Sequence, residues 1–379
     1  MRIGILTITD GQNYGNRLQN YALQTLLEEL SFDVETLLFR TQRDGYRKYL
    51  VYQNFAWLIK KILKKQSGKH KIARLRKLKF DSFNNNYIKF SKFIISDKKI
   101  PRSVADAYEY FVCGSDQIWN PRIAIVNENI KCHLACFARP KQRIAYAASF
   151  GINSIPDTSI KLFKDELLKF KAIGVREKQG EIIIANCCGR KDVQTVLDPT
   201  MMLTNEAWLR IAKKPNYITS SKPKFIVTYF LSEESNILKN YIEAVSNKHN
   251  ADVIRLNIEF LLDEKIDNKE YFCTSPDEFI WLIANSECVL TDSFHATVFS
   301  LIFHKPFCVF ERKATEKGNN MESRIDTLLG YFGLECMKGD INNPKKTPQP
   351  YDGNMVDDIL KIKRAESIAF LKKALDLNK

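Results

Sequence analysis

Residues 2–39 read RIGILTIT (2–9), DGQNYG (10–15), NRLQNYALQTLLEEL (16–30) and, after a short break, VETLLF (34–39). The first piece is a short apolar, β-branched run and the second a cluster of turn residues. The third repeats apolar residues at helical spacing through Leu18, Ala22, Leu26 and Leu30, and the fourth is strand-like again. Strand, loop, helix and strand in that order make a βαβ opening, which commits the sheet to be parallel. Further strands are predicted at residues 110–113, 143–148, 172–175 and 194–197, with helices between the later ones.

A second series begins after residues 213–223, a polar, proline-bearing stretch with the composition of a linker. Strands are expected at 224–231, 252–256, 288–291 and 306–310, and helices at 233–248, 275–284 and 294–303; the helical pattern of 355–377 can pack across either half. The predicted fold is α/β, with two Rossmann-like domains (residues 1–212 and 224–379) facing a cleft. In such sheets ligands bind outside the carboxyl ends of the strands.

The composition agrees. At about 100–200 residues per domain, 379 residues suggest two domains. A content of 45% hydrophobic and 27% charged residues, with only 15 Gly and 12 Pro, excludes wholesale disorder and collagen-like sequence. The formal charge is +14, but residues 40–102 hold 19 Lys/Arg against 3 Asp/Glu, leaving the rest of the chain nearly neutral. We expect a basic helical insertion there, which weakens a nucleic-acid role argued from overall charge. The nine cysteines are an odd number, no cationic leader precedes the first strand, and no apolar run reaches the roughly 18 residues of a membrane span. A reducing, cytoplasmic location is expected. Cys132, His133 and Cys136 lack a second ligand pair at zinc spacing, so no metal site is expected.

Three strand-to-helix junctions carry chemistry. In residues 10–16, DGQNYGN, the glycines allow backbone amides to approach an anion at a helix start, through Asn13, Gly15 and Asn16; a tight turn capped by Asn16 is the alternative. The loop is neither GxGxxG nor a Walker A sequence. Residues 113–121, CGSDQIWNP, deliver Ser115, Asp116, Gln117, Trp119 and Asn120 from one strand end. That is the composition of a sugar-binding or active-site loop, although the same residues also make ordinary turns. In residues 291–296, TDSFHA, His295 lies in the first helical turn, where dipole and burial both oppose the cation and suit it to proton transfer near neutral pH. Arg176 ends a strand where it can fork onto an anion or pair with a neighbouring Glu, and Asn319, Ser323 and Arg324 offer another anion site at a helix start.

Taken in order, GQNYGNRLQNYAL (11–23), GSDQIWNP (114–121), YAASFG (146–151), VREK (175–178), VLDPT (196–200) and DSFHA (292–296) resemble the polysaccharide pyruvyl transferase family over most of the chain. The resemblance implies a fold like the GT-B glycosyltransferases, phosphoenolpyruvate as donor substrate with no separate cofactor, and a pyruvate ketal built on two hydroxyls of one sugar in a surface glycan or its precursor. It aligns His295 with the family histidine and Arg176 with the mid-chain arginine. Ser293 stands where better-studied members often have Arg, so Arg312 or Arg324 is expected to supply that donor contact. On this reading Asn13, Gly15, Asn16, Arg176, Ser293, Arg312 and Arg324 bind the donor. His295 and Asp116 are catalytic, and Ser115, Gln117, Trp119 and Asn120 meet the acceptor, expected to be a polyprenyl-diphosphate-linked sugar.

Two other classes stay open. One is a nucleotide-sugar glycosyltransferase of the same architecture, because fold does not fix the donor. The other is a nucleic-acid-binding protein using residues 40–102, which nevertheless contain no recognised nucleic-acid motif. Within that stretch Val51, Phe55, Leu58 and Ile62 fall at helical spacing beside Lys60, Lys61, Lys64 and Lys65. This suits either a solvated basic face or a contact with the anionic inner surface of the cell membrane.

Overall fold

The computed structural model describes residues 1–9, 11–40, 68–221, 223–256, 269–311 and 322–377. The first domain is built on strands β1 (Arg2–Leu6), β2 (Asp33–Phe39), β3 (Phe90–Ile95), β4 (Tyr110–Cys113), β5 (Arg143–Ala148), β6 (Ala172–Val175) and β7 (Gln194–Thr195). All pair in parallel, in the order β3-β2-β1-β4-β5-β6-β7. Helices α1 (Tyr14–Glu29), α2 (Gly68–Tyr87), α3 (Asp157–Leu167) and α4 (Lys178–Cys188) cross between them.

The second domain carries β8 (Phe225–Tyr229), β9 (Asp252–Arg255), β10 (Val289–Thr291), β11 (Phe307–Phe310) and β12 (Lys338–Gly339), in the parallel order β12-β11-β10-β8-β9. Its helices are α5 (Asn236–His249), α6 (Pro276–Asn285), α7 (Phe294–Ile302) and α8 (Glu322–Phe332). Both orders are doubly wound, so the predicted pair of Rossmann-like domains is the fold found. The linker residues described between 213 and 223 form neither helix nor strand.

Each sheet has one switch point, between β1 and β4 in the first and between β8 and β10 in the second. Leu6 lies opposite Cys113, and Thr291 opposite Tyr229, so at each switch point two loops leave the sheet side by side. The polar residues of α1 tie the first pair together. Gln19 donates to Thr7 Oγ1 (2.8 Å) and accepts from the Ser115 amide (3.1 Å), while Arg17 donates to the Ile8 carbonyl (2.6 Å). In the second domain Asp292 does the equivalent task, accepting from the Leu231 and Ser232 amides at 2.7 and 2.9 Å.

The two domains share an apolar core. Leu18 and Leu23 of α1 belong to the same buried cluster as Phe279 of α6 and Phe299 of α7. Tyr14, fully buried, stacks on Phe279 with centroids 4.6 Å apart.

Three expectations need correction. Residues 68–95 are not an appended insertion: α2 and β3 complete the first half of the sheet, with β3 as its edge strand beside β2. Nor is all of this segment's charge solvated. Arg76 is 1% exposed and donates to Tyr14 Oη (2.9 Å), the Gln12 carbonyl (2.8 Å) and, across the domain boundary, the Phe272 carbonyl (2.5 Å). Lys79 pairs with Glu278 of α6 at 2.5 Å. The pattern read at residues 51–65 lies outside the described residues. Finally, helix α9 (Gly353–Ala374), grouped with residues 224–379 but free by its pattern to pack on either half, spans both. It starts on the second domain, with His304 against Asp357 (3.0 Å), and ends on the first, where Arg364 donates to the Met201 and Leu203 carbonyls.

Candidate active site at two facing switch points

The junction after β1 is shaped by a cap and a close approach. Asn13, not Asn16, caps α1, its Oδ1 accepting from the Asn16 amide at 3.2 Å. Within the first turn, Gly15 lies against the second domain: a Cβ built there would stand 2.0 Å from His295 Nδ1. Only a glycine admits the ring at that distance. The N-termini of α1 and α7, whose first-turn amides and dipoles favour negative charge, therefore meet at this imidazole.

The junction after β4 needs unusual backbone. Gly114 takes φ +138° and has the Tyr146 carbonyl where a Cβ would go, and Asp116 adopts φ +73°. That bend turns Ser115 and Asp116 toward two further strand ends. From the end of β6, Arg176 donates to Asp116 Oδ1 (3.3 Å) and Asp198 Oδ2 (3.1 Å). Ser115 Oγ donates to the same Asp198 oxygen at 2.7 Å, and Asp198 Oδ2 lies 3.8 Å from His295 Nε2. Phe294, beside His295, presents its ring to the guanidinium of Arg176 at 4.6 Å and of Arg324 at 5.9 Å.

These charges are buried together, and they set one another's protonation. Burial pushes the Asp116 carboxyl up, but Arg176, His295 and Arg324 outweigh it and hold it below its ordinary value. Burial likewise opposes the Asp198 anion, yet His295, Arg176 and the Thr200 and Ser115 donors bring it down to about 2. For Arg176, burial is overcome by Asp116, Asp198 and Glu177, and its proton is held more tightly than usual. His295 goes the other way. Burial is the largest influence and favours the neutral ring, Arg176 and Arg324 add to it, and Asp198 and Asp116 oppose.

The structure thus brings together Gly15, Ser115, Asp116, Arg176, His295 and Arg324, with Ser293 buried at the start of α7. Gln117, with its amide oxygen turned to Arg324, accepts from both terminal guanidinium nitrogens at 2.8 and 2.9 Å. Asn120 stabilises its own loop, accepting from the Arg122 amide at 3.0 Å. Arg312 and Asn319 lie outside the described residues.

Trp119 is a correction. It is fully buried, donates to the His133 carbonyl (3.3 Å) and packs against Phe150 and Phe170, so its ring belongs to the core and not to a sugar platform. Arg176 forks onto carboxylates, Asp116 and Asp198, as one of its two readings had it; Glu177, the partner in the other reading, is more distant at 4.0 Å. Asp198 and Phe294 were not singled out from the sequence. The Asp-Pro step inside VLDPT was the available signal, since Asp198 caps the short helix Pro199–Met202. Among the described residues no group of three or more His, Cys, Asp or Glu is arranged to hold a metal ion.

Fold and site together define a two-domain α/β protein with a buried acid–base cluster where two helix N-termini converge. The chain belongs to the polysaccharide pyruvyl transferase family, whose model matches residues 13–313. It is thus a transferase by family. No curated protein sequence matches it. Solved structures similar to it include the UDP-GlcNAc 2-epimerase of Methanocaldococcus jannaschii, at 14% identity and TM-score 0.42, over 96% of this chain and 99% of that one. A putative UDP-N-acetylglucosamine 2-epimerase from Listeria monocytogenes matches at 11% identity and TM-score 0.45, over 95% and 94%. Arabidopsis thaliana UGT89C1, complexed with UDP-L-rhamnose, matches at 9% identity and TM-score 0.40, over 99% and 94%.

Proposed function

We propose that the protein transfers the enolpyruvyl group of phosphoenolpyruvate to two hydroxyls of one sugar, forming a pyruvate ketal during synthesis of a capsular or other surface polysaccharide. The observation that carries this reading is the contact of His295 with Gly15. It sets a buried imidazole at the convergence of two helix N-termini, with Arg324 close by, which supports a proton-transferring role.

The chemistry asks for those parts. The donor's methylene carbon takes a proton and becomes a methyl group, and the cationic centre left at the adjacent carbon is attacked by a sugar hydroxyl. Loss of phosphate regenerates such a centre, and the second hydroxyl closes the ketal. Two hydroxyl protons are released, one replacing that taken up by carbon and one leaving with phosphate. His295 relays these protons. Burial favours its neutral form in the free protein, and the trianionic donor favours its protonated form, so that donor and proton arrive together. The amides around Asn13 and Asn16, the start of α7 at Ser293, and Arg324 hold donor charge; Arg312 is proposed to join them. Asp116, Ser115, Gln117 and Asn120 stand at the acceptor side. No metal or separate cofactor enters the scheme.

The acceptor is proposed to be a polyprenyl-diphosphate-linked sugar, met at the cytoplasmic face of the membrane. In support, α2 exposes Leu75 (45%) and Leu78 (52%) beside Lys71 and Lys77, an apolar strip with basic flanks. No helix among the described residues is long and apolar enough to cross a membrane. No partnership with nucleic acid is proposed.

Incubating the purified protein with lipid-linked sugars and either phosphoenolpyruvate or a nucleotide sugar tests the reading. Acceptor-dependent phosphate release from phosphoenolpyruvate supports it. Consumption of the nucleotide sugar alone would replace it with a glycosyltransferase.

A further inference from the structure

Asp198 is held more firmly than any capping role requires. Its side chain is fully buried and takes four donors: the Thr200 amide (3.0 Å), Thr200 Oγ1 (2.7 Å), Ser115 Oγ (2.7 Å) and Arg176 Nη1 (3.1 Å). A carboxylate offers about four lone-pair sites, so this one is saturated and cannot turn. Its Oδ2 nevertheless faces His295 Nε2 at 3.8 Å, and that nitrogen is buried with no hydrogen-bond partner. On the other edge of the ring, Gly15 blocks retreat.

Resting on the pyruvyl-transfer reading, we infer that Asp198 is a positioning residue for His295, a fixed counter-charge that stabilises the cationic ring during proton transfer. The separation is too long for a hydrogen bond, and the carboxylate's acceptor sites are filled, so the action is electrostatic.

Four charged groups from four different parts of the fold face this imidazole. Asp116 from the loop after β4 and Asp198 from the turn before Pro199–Met202 favour the cation. Arg176 from the end of β6 and Arg324 on α8 disfavour it, as does burial, the largest influence. A ring that must carry a proton to carbon in such a place needs a counter-charge that stays put. Both carboxylates pair with Arg176, Asp116 at 3.3 Å and Asp198 at 3.1 Å, but Asp198 is anchored in addition by Thr200 and Ser115.

The full chain, labelled at its five histidines, is titrated by NMR, with His295→Gln identifying the signal. In Asp198→Asn the His295 midpoint is expected to move to lower pH, and Asp198→Glu to restore part of the shift. Ser115→Ala removes one donor from Oδ2 and is expected to move the midpoint the opposite way, which general loosening would not do. It also keeps the question open to test if Asp198→Asn does not fold. In turnover assays the alkaline limb of kcat follows the same directions, with little change in KM for phosphoenolpyruvate. An unmoved midpoint in Asp198→Asn, or a fall in Ser115→Ala, would overturn the inference. The titration requires no substrate, so a protein that shifts as expected but does not turn over phosphoenolpyruvate would retain the Asp198–His295 coupling and lose the proposed reaction.

Discussion

The Cβ position of Gly15 and Nδ1 of His295 are 2.0 Å apart, although the residues belong to different domains and are separated by most of the chain. A side chain of any size on α1 at this point displaces the imidazole. Gly15→Ala should therefore lower turnover by about 100-fold, the usual consequence of misplacing a reacting group by about an ångström. Stability should fall by only about 1–3 kcal/mol from overpacking, because alanine is the better helix former. Steady-state kinetics beside a urea melt separates the two effects; full activity in Gly15→Ala would show that the ring does not work from this position.

His295→Ala should lower phosphate release by about 10²–10⁴-fold, the range for a general acid–base residue, while the far-UV circular dichroism stays unchanged. A variant retaining normal turnover would remove the imidazole from the chemistry.

Arg76→Met removes the buried guanidinium that serves Tyr14 Oη and the Gln12 and Phe272 carbonyls. Unsatisfied buried acceptors cost about 1–3 kcal/mol each, so the urea midpoint should fall clearly even though methionine fills much of the volume. Activity should fall with it, because Gln12 and Tyr14 set the entry to α1.

Acid should weaken the fold in two stages. Burial pushes His133 down from 6.5 to about 3, and His295 also lies below 6.5, so the unfolded chain takes up protons first and stability drops once the pH falls below that value. Asp116 and Asp198 lie below 3.8, Asp198 at about 2, which gives a second loss of the same sign as the pH passes from 3.8 toward 2. Urea midpoints across this range should decline throughout. His133→Phe, replacing a ring stacked on Phe39 at 4.3 Å, should reduce the first stage.

Leu75→Asp together with Leu78→Asp should weaken sedimentation with phosphatidylglycerol vesicles by at least about tenfold, given the apolar area lost and the charge added. Both side chains are exposed, so folding should not suffer. Equal binding by the variant would remove α2 from membrane contact.

Much of this was legible in the chain. Strands β4, β5 and β6 were bounded from sequence as found, because continuous apolar runs ending in Gly, Ser or Arg leave little choice of register. β3 escaped notice: as an edge strand it tolerates Lys92 among its apolar residues, and the surrounding lysines made the region look like an exposed arm. Nothing local marked Arg76 as buried within the basic stretch, since its three acceptors, two of them carbonyls, come from parts of the chain that no local pattern links. At the site, His295 and Asp116 stood out as polar residues at strand ends. Trp119 misled because an aromatic beside polar residues looks like a platform, whereas the backbone turns it inward. Asp198 was overlooked because only its cap on Thr200 is local, whereas the partners that tie it to the site, Ser115, Arg176 and His295, are distant in the chain.

Helix α9 bears on how the protein is made. The Leu197 amide of the first domain donates to Ser367 Oγ, 170 residues further along, and Phe370 packs where Gly174 leaves room on β6. A ribosome delivers the first domain's strands long before the helix that covers them. That domain must wait, with part of its core uncovered, while the whole second domain is synthesised, and a chaperone has its longest opportunity during that interval.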